Sequence, residues 1–521
     1  MPKLAPPPSA ARRKDATGKI KSLEELAVLL QQRKQQGKTV VLCHGVFDLL
    51  HIGHIRHFTK ARALGEVLVV TLTPDRFVNK GSHRPAFPEQ LRAEAIAALS
   101  VVDYIAINQW PTSVETIRVL QPDIYCKGSE YRQVEGDVLV ALREEIAAVE
   151  AMGGRVEYTE DLTCSSSSLI NTHFNIFPPA VEMWLKAFRA RYSAETVISC
   201  LERVSSLKVL VVGEAIIDEY LFCDGLGKST KDPVLAFQYR STETYAGGSL
   251  AVANHVAGFC REVGLLTVLG ESDRAEDFVR QALRPNVTPR FVTWRGAPTI
   301  HKRRFIDTHT SAKMFELYVM EDDRLSADGE AELVGALQRL IRDYDLIVVA
   351  DYGHGMMVPA AIKRLCAEAR FLAVNTQANA GNRGFNTISK YPRADYVCLA
   401  GHEVALETRM RHAQWNDLVL EVTRRIDCPR FTITQGKDGT LHYTRESGFT
   451  QVPAFATKLT DRVGAGDAVL AVTSLLVARD VPWEVVGFLG NLAGAELVAE
   501  FGNRVTVSQS SLIRQVSSLL K

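Results

Sequence analysis

No apolar run in this chain approaches the length of a bilayer-crossing helix. Its start, Met1 to about Lys19, lacks the apolar central stretch of a secretory signal. A helical membrane span is therefore not expected, and the Pro-, Ala-, Lys- and Arg-rich residues 1–19 are expected to form a flexible tail. Excess charge of one sign is also missing: 61 Lys and Arg face 60 Asp and Glu, a net charge of +1. That balance gives no electrostatic case for nucleic acid or an anionic membrane as partner. The nine cysteines are scattered, with no C-x-x-C and no short-spaced cluster, which favours a reducing cytoplasm over a disulfide framework. What the chain does have is 46% apolar content over 521 residues, enough for two to four well-filled domains.

The most informative stretch is His44-Gly-Val-Phe-Asp-Leu-Leu-His-Ile-Gly-His54. The apolar run 39–43 before it reads as a buried parallel strand, and 54–64 after it as a helix capped at Gly65. His51 and His54 thus fall where a strand's carboxyl end meets a helix N-terminus, a place that favours anions. Imidazoles there can donate to phosphate oxygens as charge develops, and Gly53 allows close backbone approach. The alternatives are a histidine-rich turn or a metal pair. Cys43 and His44 are near, but a metal needs further ligands.

From residue 20 to about 176, strand-like runs at 67–72, 104–107, 123–127 and 155–158 alternate with helical ones at 87–99, 113–120 and 138–152. Alternation of this kind implies a parallel sheet covered on both faces, with ligands beyond the strands' carboxyl ends. Lys80, Arg84 and Arg92 supply positive charge for phosphates, or else a solvated basic face. Lys127-Gly128 ends a strand, and Ser165, Ser166 and Ser167 follow Cys164 as a helix cap, a plain loop or a phosphate site.

In order and spacing these motifs resemble the sugar-phosphate adenylyltransferase half of the bifunctional ADP-heptose synthases. The match from Gly45 to His54 is to the nucleotidyltransferase signature G-x-F-D-x-x-H-x-G-H. The resemblance implies that His51 and His54 stabilise the transition state while Gly45, Phe47 and Asp48 shape the nucleotide pocket. It puts Arg62 and Arg92 near the triphosphate, with Lys127, Gly128 and Ser165–Ser167 completing a nucleotide site to which the charge of Lys80 is also assigned. The Lys-Gly motif favours ATP and a sugar phosphate over CTP and glycerol phosphate.

Residues 177–206 open on Pro178-Pro179, carry two helical patterns with Ser193 as an N-cap, and are expected to be a helical connector. A second doubly wound domain is expected over 207–521, from strands at 209–212, 346–350, 371–375, 396–399 and 431–434. Short exposed strands are expected between Leu221 and Arg240, and a helix behind Gly247-Gly248. In Asp461-Arg-Val-Gly-Ala-Gly-Asp467 the glycine-rich backbone can aim N–H groups at a transferring phosphate, and Asp467 can take a hydroxyl proton.

With Gly213…Asp218 and Gly247-Gly248, this segment resembles the ribokinase-like (PfkB) sugar kinases, and within them the heptose-phosphate kinase half of ADP-heptose synthases. The resemblance implies a sugar site of Asp218, Gly247, Gly248, Asn254, Lys302 and Arg304. It implies an ATP and anion-hole set of Glu403, Thr434, Gly436, Gly464, Ala465 and Gly466, with Asp467 as base. Three departures bear on turnover and on the sugar: Ala251 in place of the family's asparagine, Asn375-Thr-Gln377 for D-P-K, and Ala400-Gly-His-Glu403 for N-x-x-E. The domain order is also the reverse of the usual fusion.

The expectation is therefore an α/β protein of two doubly wound domains, the second with a small β lid. It would use Mg²⁺ and ATP, act on small sugar phosphates in the cytoplasm, and form a homo-oligomer. The alternative is an active nucleotidyltransferase fused to a kinase-derived binding or dimerisation module.

Overall fold

The computed structural model describes residues 16–78, 85–129, 136–159, 177–321 and 323–520. The chain divides into two compact units, Met1–Ile176 and Phe177–Leu520.

In the first unit every strand but the last is rich in fully buried apolar side chains, as expected of a sheet covered on both faces. β1 (Val40–Gly45), β2 (Val67–Leu72), β3 (Tyr104–Ile107), β4 (Ile124–Gly128) and β5 (Arg155–Thr159) pair in the order β3-β2-β1-β4-β5. All four pairings are parallel. Alternate residues feed two cores: Cys43, Val70 and Cys126 pack with Phe58 and Ala61, whereas Leu42, Val69 and Tyr125 pack on the other face. The chain leaves β1 in one direction toward β2 and β3, then returns on its other side with β4 and β5. The carboxyl end of β1 is therefore a topological switch point, where such sheets bind ligands.

The helix after β1 spans Ile52–Arg62, so His51 is its N-cap and Ala63 its C-cap. Gly65 does not cap it. A Cβ at Gly65 would lie 2.8 Å from Thr39 O, so this glycine serves the close approach of the chain to the start of β1.

The second unit is built on β6 (Lys208–Gly213), β9 (Glu262–Gly270), β10 (Val287–Trp294), β13 (Leu346–Asp351), β14 (Leu372–Thr376), β15 (Tyr396–Ala400), β16 (Arg430–Thr434), β17 (Thr440–Thr444) and β18 (Gly448–Val452). They form one sheet ordered β10-β9-β6-β13-β14-β15-β16-β17-β18, parallel except where β17 and β18 meander antiparallel at one edge. A separate four-stranded sheet, the lid, is ordered β12-β11-β7-β8, from β7 (Ala215–Lys228), β8 (Leu235–Gly248), β11 (Ile300–Asp307) and β12 (Lys313–Val319). The short strands expected between Leu221 and Arg240 are in fact two 14-residue strands paired antiparallel from Ala215–Gly248 outward. Their exposed outer halves have no burial periodicity, which hid their length in the sequence.

The expected connector at 177–206 is also different. Helices Pro179–Arg191 and Ala194–Arg203 bury Leu185, Phe188, Val197 and Leu201 in the main core of the second unit. Phe188 lies 4.7 Å from the Phe488 ring, and Arg189 Nε donates to Leu519 O at 2.8 Å. Apolar faces on both helices make them part of that unit's wall.

Candidate active sites

In the first unit the histidine turn is organised by bonds within a few residues. His51 Nδ1 accepts the Gly53 N–H at 3.1 Å, which leaves the ring's proton on Nε2. Burial holds the His51 pKa below its ordinary value, so the ring is neutral and a single donor. Nε2 is buried and has no partner among the described residues. The His54 ring stacks on His51 with centroids 3.9 Å apart. Phe47 meets His54 edge-on at 5.2 Å and Phe58 at 4.9 Å. Phe47 has φ of 44°, a strained conformation for a bulky residue, and its ring lies over Gly45, where a Cβ would come within 3.1 Å. Phe47 thus braces His54 from behind, and Gly45 makes room for it.

The other expected residues separate into those at this turn and those away from it. Asp48 is buried and its carboxylate accepts the Ala86 N–H, tying the turn to the segment after β2. Gly128 ends β4 opposite Thr159. Lys127 is 6% exposed and paired with Glu145 at 2.7 Å, while Glu145 also accepts the Ser113 hydroxyl at 2.6 Å. His44 lies between Thr71 and Thr73 hydroxyls at 2.9 and 3.3 Å, and burial lowers its pKa to about 4. Among the described residues it shares no set of potential metal ligands with Cys43.

Arg92 does not present its charge to a ligand. Its side chain is 1% exposed, and its guanidinium donates to Phe87 O at 3.0 Å, Thr73 O at 2.9 Å, Asp75 at 2.7 Å and Val46 O. Those bonds fasten the segments that follow β1 and β2. Arg62 sits in the last turn of the helix whose first turn carries His54, about 16 Å along the axis from His51. There it bonds Gly65 O and lies 3.4 Å from Asp103, at the amino ends of the strands, away from the histidines at their carboxyl ends. Lys80, Ser165, Ser166 and Ser167 lie outside the described residues.

In the second unit a cavity of about 400 Å³ is lined by Asp218, Lys302, Arg304, Asn375, Glu403, Thr434, Gly464, Gly466 and Asp467, among others. Asp467 opens helix Ala465–Val477, and Gly464, at φ 82°, is its N-cap. A Cβ on Gly466 would meet nothing within 4 Å, so its face is open to the cavity. Burial pushes the Asp467 carboxyl up to about 7, although Tyr352 Oη at 2.9 Å and Gln377 Nε2 at 2.7 Å both donate to it. Gln377 stands in the segment that departs from D-P-K, but nothing in the sequence marks it or Tyr352 as a donor to Asp467. No periodicity signals a contact across 90 or 115 residues.

Asp218 is paired with Arg304 at 2.5 Å, and Arg304 also meets Glu316 at 3.0 Å. Lys302 lies over the Tyr318 ring at 5.1 Å, its pKa lowered chiefly by burial. Gly247 is required by Asp218: a Cβ there would lie 2.2 Å from Asp218 Oδ2. Gly248 takes φ 59° at the start of the next helix. Asp461, which in sequence is only one residue of the glycine-rich motif, is a hub. It accepts Tyr220 Oη at 2.8 Å and Lys313 Nζ at 2.5 Å, both from the lid, and the Val463 and Gly502 N–H groups.

Glu403 accepts the Ala378 and Ala400 N–H groups at 3.0 and 2.7 Å, and burial raises it to about 7. Asn375 Nδ2 donates to Cys398 O at 2.7 Å, leaving Oδ1 buried without a partner among the described residues. Gly436, at φ 61°, begins a short turn two residues past Thr434. Asn254 is not in the cavity. Its amide bonds Ala282 O at 2.8 Å and the Arg284 N–H at 2.9 Å, holding the end of helix Glu276–Ala282. Ala251, three residues earlier on the same helix face, lines with Asn254 a different, smaller cavity.

A cytidylyltransferase-like family model matches residues 42–198, and a pfkB family carbohydrate kinase model matches residues 206–509. The bifunctional protein HldE of Citrifermentans bemidjiense is 43% identical over 159 residues, covering 30% of this chain and 31% of that protein. That of Pelobacter propionicus is 45% identical over 145 residues, 27% of this chain and 28% of its own. The chain thus spans less than a third of the length of these curated relatives. Phosphofructokinase-2 from Escherichia coli, in complex with potassium, superposes with a TM-score of 0.50 at 15% identity, covering 60% of this chain and 100% of that one. That likeness concerns fold alone. Among the described residues no helix is long and apolar enough to cross a membrane. With a cytidylyltransferase-like domain ahead of it and the family model matching more than half its length, the chain belongs to the pfkB family of carbohydrate kinases.

Proposed function

We propose that the chain is a bifunctional enzyme of nucleotide-sugar synthesis. Its second unit phosphorylates a heptose phosphate or related sugar phosphate at the anomeric oxygen. Its first unit transfers AMP from ATP to a sugar 1-phosphate and releases pyrophosphate. The observation that carries this reading is one chain holding both a pre-aimed histidine donor at a switch point and a buried carboxylate beside an open glycine backbone.

In the kinase step the anomeric hydroxyl gives its proton to Asp467 as its oxygen attacks the γ-phosphorus, and ADP leaves. The N–H groups at Gly464–Gly466 face the charge that builds on the transferring phosphoryl group. Arg304 and Lys302 take the substrate's existing phosphate, and Asp218 orients hydroxyls. Asn375 Oδ1 and Glu403, which line this cavity, would help to hold Mg²⁺, and the ion would neutralise phosphate charge when bound. In the transferase step a sugar 1-phosphate oxygen attacks the α-phosphorus of ATP. His51 Nε2–H and His54 stabilise the charge that develops before pyrophosphate departs.

Small sugar phosphates and nucleoside triphosphates are the substrates in this reading. The exposed apolar Leu235, Tyr239, Phe315 and Leu317 of the lid offer a surface for a second copy of the chain.

The second reading, a kinase-derived binding module, is favoured by Gln377, whose amide stands in the D-P-K segment and occupies the base. A panel of sugar phosphates and nucleoside triphosphates, scored for pyrophosphate release and ADP formation, decides between them. ADP formation that vanishes in Asp467→Asn supports the kinase. Sugar-phosphate binding without turnover of any panel member supports the module. Absence of pyrophosphate release with every pair would sink the transferase.

A further inference from the structure

We propose that Cys43, Cys126 and His57 form a binding site for one thiophilic cation, Zn²⁺ above all, beneath the helix that begins at His51. Neither family resemblance nor the transferase chemistry uses these three residues. Cys43 on β1 and Cys126 on β4 are direct partners in the parallel register, so both sulfurs emerge on the same face of the sheet. That face is covered by Phe58 and Ala61 of helix Ile52–Arg62, and His57 comes from the same helix. One ligand atom from each residue lies within 4.8 Å of the other two. Sulfurs on a tetrahedral Zn²⁺ stand about 3.8 Å apart, from Zn–S bonds of about 2.3 Å. The cluster therefore needs to close by at most about 1 Å, within the reach of small side-chain torsions.

The imidazole is held by a hydrogen bond of the kind that fixes the ring of a metal-bound histidine. Its Nδ1 lies 2.7 Å from Thr159 Oγ1, and that hydroxyl in turn faces Lys127 O at 3.5 Å. With the Thr159 proton directed at the carbonyl, its oxygen accepts from Nδ1–H, which makes Nε2 the nitrogen with the lone pair.

The cysteines also differ from others in the chain. Cys260, Cys366 and Cys428 each direct the S–H at a backbone carbonyl, at 3.4, 3.3 and 3.0 Å. Cys43 and Cys126 instead face each other as direct partners across the β1–β4 register. Binding replaces two S–H bonds with two metal–sulfur bonds and releases two protons to solvent. Two thiolates and a neutral imidazole cancel the charge of a divalent cation, so the core gains no net charge. Among the described residues this is the one group of its kind. It joins β1, β4 and the His51 helix from within, so the cation would pin the histidine turn to the sheet.

The test is titration of the reduced, metal-free full chain with Co²⁺, following the sulfur-to-metal charge-transfer band, then displacement by Zn²⁺. One equivalent should produce the band, Zn²⁺ should abolish it, and Zn²⁺ alone should raise the melting temperature. Cys43→Ala should lose both effects. Thr159→Val, which keeps all three ligands, should weaken Co²⁺ binding by about 10- to 100-fold. If Cys43→Ala does not keep a native circular dichroism spectrum, the Thr159→Val shift decides. A wild-type chain with no charge-transfer band at millimolar Co²⁺, or an affinity unchanged in Thr159→Val, overturns the proposal.

Discussion

The two candidate sites are built in opposite ways. The histidine turn is local: His51 bonds Gly53, stacks on His54 and is braced through it by Phe47, all within eight residues of one strand–helix junction. The cavity in the second unit gathers Asp218, Arg304, Tyr352, Gln377, Glu403 and Asp467 from six segments spread over most of that unit. A local site inherits its geometry from backbone rules at one helix start. A dispersed one depends on the packing of the whole sheet and lid, and on hubs such as Asp461 that join them.

Mutations that separate the two chemistries probe this contrast most strongly. Asp467→Asn should lower ADP formation by roughly 10²–10⁴-fold while pyrophosphate release is unchanged, because it removes the proton acceptor and little volume. Next in size, His51→Ala should cost about 10²–10³ in pyrophosphate release and leave ADP formation intact. Parallel assays of both products on both variants check the separation. A common loss in either variant would mean the sites are not independent.

Stability should divide along the same line. Phe188→Ala, in the helix expected to be a connector, should destabilise the second unit by about 3–5 kcal/mol and leave the first unit's transition in place. Calorimetry or hydrogen exchange resolved by segment reads this directly. If the melting of the second unit does not move, the two helices are only a strap.

A smaller effect is expected in the pH dependence. Asp467 must be ionised to accept a proton, and burial raises its pKa to about 7, so ADP formation should climb through neutrality with a midpoint near 7. Gln377 donates to the carboxylate and thereby lowers that pKa, so Gln377→Ala should move the midpoint upward. The His51 pKa is lowered by burial, so pyrophosphate release should show no such rise between pH 7 and 8. The smallest expected effect is that of Arg62→Ala, whose side chain sits at the amino ends of the strands, away from the histidines. Its pyrophosphate kinetics should match wild type, and a large rise in KM for ATP would contradict its placement.

The same contrast governs which parts of each site are legible in the amino-acid sequence. The β1–turn–helix junction and the Gly464–Asp467 segment are legible because strand ends, helix starts and glycines carry their own conformational signature. The same local logic places Asp218 and Glu403 near strand ends but does not tell which way a side chain turns. Arg92 and Asn254 look like ligand residues in sequence, yet Arg92 satisfies four backbone and side-chain acceptors and Asn254 caps a neighbouring segment. Buried polar groups must find partners, and which partners lie within about 3 Å depends on packing across tens to hundreds of residues.

By itself, then, the sequence determined two doubly wound units, the order of their motifs, and the chemistry available at each strand–helix junction. These follow from periodicity, turn residues and the dipole of a helix start, all interactions within a few residues. Only the tertiary structure decided that 177–206 belongs to the second unit's core and that Tyr352 and Gln377 hold the proposed base. It alone decided that Cys43, Cys126 and His57 meet beneath the histidine turn. Each of these is a contact between segments distant in the chain, set by sheet order and register, and no local pattern encodes sheet order.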